Sequence, residues 1–216
     1  MLIRPVILNG PPGIGKSVWA RSLAAALEIP YVDVDATKGG AGMALVGVER
    51  GWGTAQAGRP LDVMLSKRLA NPLIVVDEIC KAKSVTSTRG TSYSFADALL
   101  SLLEPATAKA WDCPYFRVRF DMSHISWVLT SNNVENVSAP VRNRCQVIEI
   151  PDVTTEQLQE FAVRKGEAFG LSEEAVEAVV MAVDQAPVVT GRRLSLRDVV
   201  RMLERAEMME GRPRLQ

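Results

Sequence analysis

Eight residues constrain this chain more than any others. Gly10-Pro11-Pro12-Gly13-Ile14-Gly15-Lys16-Ser17 satisfies the spacing G-x-x-x-x-G-K-[ST]. It directly follows the β-branched run Val6-Ile7-Leu8 and directly precedes a segment in which Ala20, Leu23, Ala24 and Leu27 recur at helical spacing. Small residues let the backbone curl until its N–H groups face inward at phosphate oxygens, and the amino terminus of the following helix adds positive potential. Lys16 then reaches the terminal phosphates and the Ser17 hydroxyl is a ligand for Mg²⁺. The bland alternative, a glycine-rich turn with an exposed lysine, does not explain the strand–turn–helix context.

A second segment supplies acids. Leu73-Ile74-Val75-Val76 reads as a buried strand and ends in Asp77-Glu78. In an open α/β sheet those acids emerge at the carboxyl edge, where such proteins bind ligands. Asp77 suits the Mg²⁺ shell, and Glu78 suits a base that orients or deprotonates a water. Read alone, the pair is also consistent with a solvated strand end. Val128-Leu129-Thr130-Ser131-Asn132-Asn133 is a third strand ending in polar residues. Asn132 there is either a γ-phosphate or water contact or simply part of a turn.

The rest of the first 150 residues keeps the same rhythm. Tyr31 to Val34, Ile125 to Thr130 and Val147 to Ile150 are further β-branched runs, each read as a buried strand. Phe95, Leu99, Leu102 and Leu103 mark a helix between them. Strands alternating with helices imply α/β architecture, with a parallel five-stranded sheet flanked by helices. After Pro151 only helical patterns remain. Thr154 to Gln157 reads as a capping box, Ser172-Glu173-Glu174 opens a second helix and Ser195 to Asp198 a third. The expected organisation is therefore an α/β domain over 1–150 and a small all-helical lid over 151–216. Lys38 to Gly58 and Lys81 to Ser94 fit no regular element, and loops of that length inside a domain are usually functional.

Composition excludes several classes. Lys+Arg and Asp+Glu both total 25 in 216 residues, and the lid segment holds 9 basic and 12 acidic residues, so no basic field announces nucleic acid or an anionic membrane. Cys80, Cys113 and Cys145 are widely spaced and His124 is the single histidine, a pattern that argues against a disulfide framework or a zinc site and for a reducing cytoplasm. No apolar run approaches the ~18 residues of a membrane span.

Taken together, Gly10 to Ser17, Asn71 to Ile79, the helix from Ala98 to Glu104-Pro105, Thr130-Ser131-Asn132 and Asn143 to Ile148 resemble the ATPase module of the AAA+ superfamily, and within it most closely that of Lon proteases. The resemblance implies a P-loop NTPase fold binding ATP or ADP with Mg²⁺. Residues 10–17 (Gly10, Pro11, Pro12, Gly13, Ile14, Gly15, Lys16 and Ser17) with Val18 would hold the nucleotide, and Asp77-Glu78 would be the Walker B pair. Asn132 is similar to the sensor-1 residue, on a strand expected between those of Lys16 and Asp77. Arg144, with Arg142 as second candidate, falls where the family carries an arginine finger acting on the neighbouring subunit. Arg197 matches the sensor-2 arginine, although Arg197, Arg201 and Arg205 also follow the i, i+4 spacing of a solvated basic face. Trp52 lies near the aromatic pore-loop position, with a core-packed tryptophan as the alternative, and 81–94 would be the second pore loop.

Departures accompany the likeness. Cys80 stands where the family usually has Asp, the short segment that usually precedes the first strand and helps hold adenine is expected to be missing, and no Ser–Lys dyad can be assigned. No peptidase activity is therefore expected. The leading expectation is a Mg²⁺-dependent ATPase in a homo-oligomeric ring, a hexamer by resemblance, that remodels or translocates a protein partner delivered directly or by an adaptor. A DNA-associated ATPase of the clamp-loader or defence type is the alternative, because Arg142-Asn143-Arg144-Cys145 resembles a clamp-loader motif. A small-molecule kinase shares the phosphate loop, but a water-activating acid suits hydrolysis better than transfer to an acceptor.

Overall fold

Five short strands, Val6–Asn9 (β1), Tyr31–Asp35 (β2), Leu73–Asp77 (β3), Ser126–Ser131 (β4) and Gln146–Glu149 (β5), pair in parallel in the order β5-β1-β4-β3-β2. A computed structural model of the chain describes residues 3–50, 53, 55–82, 85–86, 92–190 and 193–211. Because successive strand side chains alternate faces, the sheet sorts its own core. Ile7, Ile74, Val76, Trp127 and Leu129 point into one layer; Val6, Leu8, Leu73, Val75 and Val128 point into the other.

Helices cover both layers. Ala20 and Ala24 of the helix Lys16–Ala26 (α1) pack on the second face, where their small side chains let the helix lie close to the sheet. The helices Ala41–Val46 (α2), Arg59–Lys67 (α3) and Phe95–Leu103 (α4) bring Leu45, Leu61, Phe95 and Leu99 to the first. Two shorter helices follow, Pro105–Ala108 (α5) and Ala139–Arg142 (α6), both with proline in the first turn, where its missing N–H costs nothing.

The second set of helices is Thr155–Phe169 (α7), Glu173–Thr190 (α8) and Leu196–Glu210 (α9). Both α7 and α9 open with a complete capping box, Thr154 with Gln157 and Ser195 with Asp198. Leu158, Ala162, Val179, Val183, Val199 and Leu203 form their common core. The chain divides into two compact units, Met1–Gly10 with Lys16–Ile150, and Pro11–Gly15 with Pro151–Gln216.

Two expectations are corrected here. The run Val147 to Ile150 was expected as a buried strand, yet all four residues of β5 are exposed: β5 pairs only with β1, and unlike the other edge strand, β2, which buries Val32 and Val34, it has no side chain in either core layer. Lys38 to Gly58 was expected to hold no regular element, yet it contains α2 and a two-residue antiparallel pairing of Gly47–Val48 with Gln56–Ala57. Burial of Ala41 and Leu45 stabilises that six-residue helix, which is too short to form on propensity alone. Within 81–94 a 3₁₀ turn, Ile79–Lys81, reaches its start, and Val85–Thr86 pairs with Ser92–Tyr93. Trp52 and much of 83–91 lie outside the described residues.

Candidate functional site

The parallel sheet places the carboxyl ends of β1, β4 and β3 side by side, with Asn9 opposite Ser131 and Val76 opposite Leu129. β1 therefore delivers Gly10, β3 delivers Asp77-Glu78 and β4 delivers Thr130 and Asn132 to one edge. Lys16, at the start of α1, is buried. Its Nζ donates to Gly10 O at 2.7 Å and to Asn132 Oδ1 at 2.9 Å. A buried ammonium is held by acceptors rather than by water, so its position is set by the protein itself.

Next along α1, Ser17 Oγ donates to Asp77 Oδ1 at 2.6 Å. The same carboxylate oxygen accepts from Thr130 Oγ1 at 3.0 Å, and Thr130 Oγ1 in turn accepts the Glu78 backbone N–H at 3.0 Å. Glu78 sits at φ 56°, ψ 43°, a left-handed conformation that costs a non-glycine residue about 1–2 kcal/mol. Thr130 holds the peptide that makes this turn. Glu78 Oε1 accepts Lys81 Nζ at 2.8 Å, with both side chains about half-exposed. Sequence reasoning missed Thr130, although it lies in β4 only two residues before Asn132. It missed Lys81 as well.

Cys80 occupies the 3₁₀ turn after Glu78. Burial works to raise its thiol pKa, but hydrogen bonding from the Asn132 backbone, the Ser131 side chain and the Asn133 backbone outweighs it and holds the thiol below its ordinary value.

In the second unit, residues 11–15 pack with α9. Gly13 and Gly15 have φ of +80° and +90°, which L side chains rarely adopt, and a Cβ on Gly13 would meet Ser195 Oγ at 2.7 Å. The Arg197 backbone N–H donates to Gly13 O at 3.3 Å, while the Arg197 side chain is exposed. Positive φ on either side of Ile14 is the kind of turn that aims backbone N–H groups into an anion-binding concavity.

The donor chemistry of the first unit suits a phosphate-bearing ligand with Mg²⁺: a buried ammonium for phosphate, one hydroxyl and one carboxylate for the cation. Among the described residues no group of three or more His, Cys, Asp or Glu is placed to hold a metal by itself. Such a two-ligand set fits an ion that keeps phosphate and water oxygens, as Mg²⁺ does. Arg142 and Arg144 do not join this cluster. Arg142 Nη1 donates to Glu135 Oε2 at 2.8 Å and Arg144 Nε to Glu104 Oε2 at 2.9 Å.

A family model of the ATPase family associated with various cellular activities (AAA) matches residues 6–152. The chain belongs to the AAA ATPase family. Within the curated proteins it is 32% identical over 155 residues to a peroxisomal Lon protease homolog 2 of Zea mays, covering 72% of this chain and 17% of that protein. It is 32% identical over 157 residues to a Lon protease of Methanosphaera stadtmanae (73% and 18%) and 33% identical over 155 residues to one of Helicobacter pylori (71% and 18%). The chain spans 17–20% of the length of the first of these curated relatives. This AAA ATPase is thus similar to the ATPase part of Lon proteases. Among the described residues no helix is long and apolar enough to cross a membrane.

Proposed function

We propose that this AAA chain is a Mg²⁺-dependent ATP hydrolase that works in a homo-oligomeric ring, a hexamer by family resemblance, to remodel or translocate a protein partner. The observation that carries the reading is the convergence of Lys16, Ser17, Asp77, Glu78 and Asn132 on one sheet edge through hydrogen bonds of 2.6–3.0 Å. Residues 1–150 are the nucleotide-binding domain and 151–216 the lid, with Arg197 the lid's contact to nucleotide.

In this reading the backbone of 10–15 cradles the phosphates and Val18 flanks the nucleotide. Lys16 exchanges its Gly10 and Asn132 acceptors for β- and γ-phosphate oxygens. Ser17 and Asp77 hold Mg²⁺, which when bound neutralises charge on the phosphates. Thr130 and its link to the Glu78 peptide keep that carboxylate at the edge where a water must lie. Glu78 releases Lys81, which exchange with solvent makes cheap at this exposure, and takes a proton from, or orients, the attacking water. Asn132 holds the water or the γ-phosphate. Arg144, with Arg142 as alternative, spreads charge in a neighbouring subunit's transition state. The free cysteines Cys80, Cys113 and Cys145 fit a reducing cytoplasm.

The test is phosphate release by Glu78→Gln, with ATP affinity measured on the same preparation. Retained binding with turnover lowered about 10²–10⁴-fold is expected. Near-wild-type turnover would remove Glu78 from the mechanism, and a phosphorylated acceptor in place of free phosphate would make the protein a kinase.

A further inference from the structure

We propose that Glu104 is the positioning residue for Arg144: it fixes the guanidinium so that one edge is presented outward for a phosphate of the adjoining subunit. The proposal rests on the reading of Arg144 as the arginine that acts between subunits.

Glu104 sits at a junction. It ends α4 and caps α5, with its N–H donating to Leu100 O at 3.2 Å and its carbonyl accepting from Ala108 N at 2.9 Å and from Thr107 Oγ1 at 3.1 Å. Leu102 and Leu103 just before it are buried. Its backbone is therefore immobilised from both sides. Arg144 follows α6, where its N–H donates to Val141 O at 3.1 Å and Val141 is fully buried.

Between these two anchored backbones the guanidinium is gripped twice. Nε donates to Glu104 Oε2 at 2.9 Å and Nη1 to Pro140 O at 3.0 Å. Nη2 has no partner among the described residues, so its two N–H donors are the edge left over. The pair is 35% and 41% exposed on its side chains, a setting in which an ion pair contributes little to folding. What it does set is direction. A planar fork with two of its nitrogens committed has one orientation in which the third can reach an anion. Arg142 differs: the structure gives it one acceptor, Glu135, whose side chain is 76% exposed and is not braced by two helix ends. The geometry thus favours Arg144 over Arg142 as the pre-set donor.

Turnover and KM for ATP would be measured for Glu104→Ala, Glu104→Gln, Arg144→Ala and the Glu104→Ala/Arg144→Ala double variant, with oligomer mass recorded for each. Glu104→Ala is expected to lower kcat about tenfold to a hundredfold with KM unchanged, the scale on which a misplaced group costs rate. Glu104→Gln, which keeps an acceptor at the same reach, should recover part of the loss. The double variant should equal Arg144→Ala alone, since one residue acts through the other. Additive losses, wild-type kcat in Glu104→Ala beside a slow Arg144→Ala, or loss of assembly in Glu104→Ala would each overturn the positioning role. Wild-type kcat in Arg144→Ala beside a slow Glu78→Gln would sink the arginine reading and this proposal while leaving the ATPase reading intact. Independently of turnover, the Arg144 Nε–H signal in arginine-labelled protein should be protected from solvent exchange and lose that protection in Glu104→Ala; equal exchange in the two proteins overturns the proposal.

Discussion

In the first unit the polar side chains that build the site are tied across long stretches of chain: Lys16 to Asn132 spans 116 positions, Ser17 to Asp77 spans 60 and Thr130 to Asp77 spans 53. In the second unit the polar ties are mostly local. Thr154 pairs with Gln157 and Ser195 with Asp198, each three positions apart, with Ser172–Glu210 and Arg193–Asp152 as longer exceptions. The two units use hydrogen bonds for different ends. Local caps start helices whose stability then comes from an apolar stripe. Long-range ties have no local role and exist only because a sheet brings four strand or helix ends together. A polar group in the first case is replaceable by any good cap; in the second it belongs to a network in which each partner leaves another unsatisfied.

Substitutions can break or sharpen that contrast. The largest effect is expected where both units depend alike on packing. Leu129→Ala in β4 and Leu203→Ala in α9, both fully buried, should each cost about 2–5 kcal/mol in denaturant unfolding. A loss below that range at either site would remove that leucine from its core. Thr130→Val is the sharper probe, because it keeps the shape and deletes the hydroxyl. It strands the Glu78 N–H and removes a donor to Asp77, for an expected cost of about 1–3 kcal/mol. Phosphate release should fall about tenfold as Glu78 loses its fixed peptide, and Thr130→Ser should restore it. Equal turnover in Val and Ser variants would mean that the tie is idle. The smallest effect belongs to a local cap: Ser195→Ala should cost about 1 kcal/mol. Amide exchange should quicken in the first turn of α9, and a loss as large as that at Thr130 would erase the distinction between the two kinds of tie.

How much was legible follows the same division. The capping box of Thr154 to Gln157 was read directly, and Ser195 to Asp198 was read as a helix start that the structure shows to be a second box, since a cap and the residue it serves lie within one turn. The strand runs were legible by β-branched content, but the exposure of Val147 and Ile148 was not, because nothing in a strand's own residues says whether a neighbour flanks it on one side or two. α2 was hidden by Gly42 and the glycines that flank it, and its helix exists because Leu45 is buried in the core layer. Thr130 escaped notice for a related reason: in a six-residue strand that is buried throughout, a threonine looks like any other β-former until its hydroxyl is seen between Asp77 and Glu78.

By itself the sequence determined the glycine-rich turn before α1, the acids at the end of β3, the parallel α/β class and the helical character of the carboxyl-terminal segment, because each is encoded in residues within a turn or a strand of one another. Only the tertiary structure decided that Thr130 joins Asp77 to Glu78, that Lys81 holds Glu78, and that Glu104 grips Arg144 from 40 positions away. Such pairs depend on strand order, register and helix packing, which are set by burying the whole core at once and leave no periodic trace in any one segment.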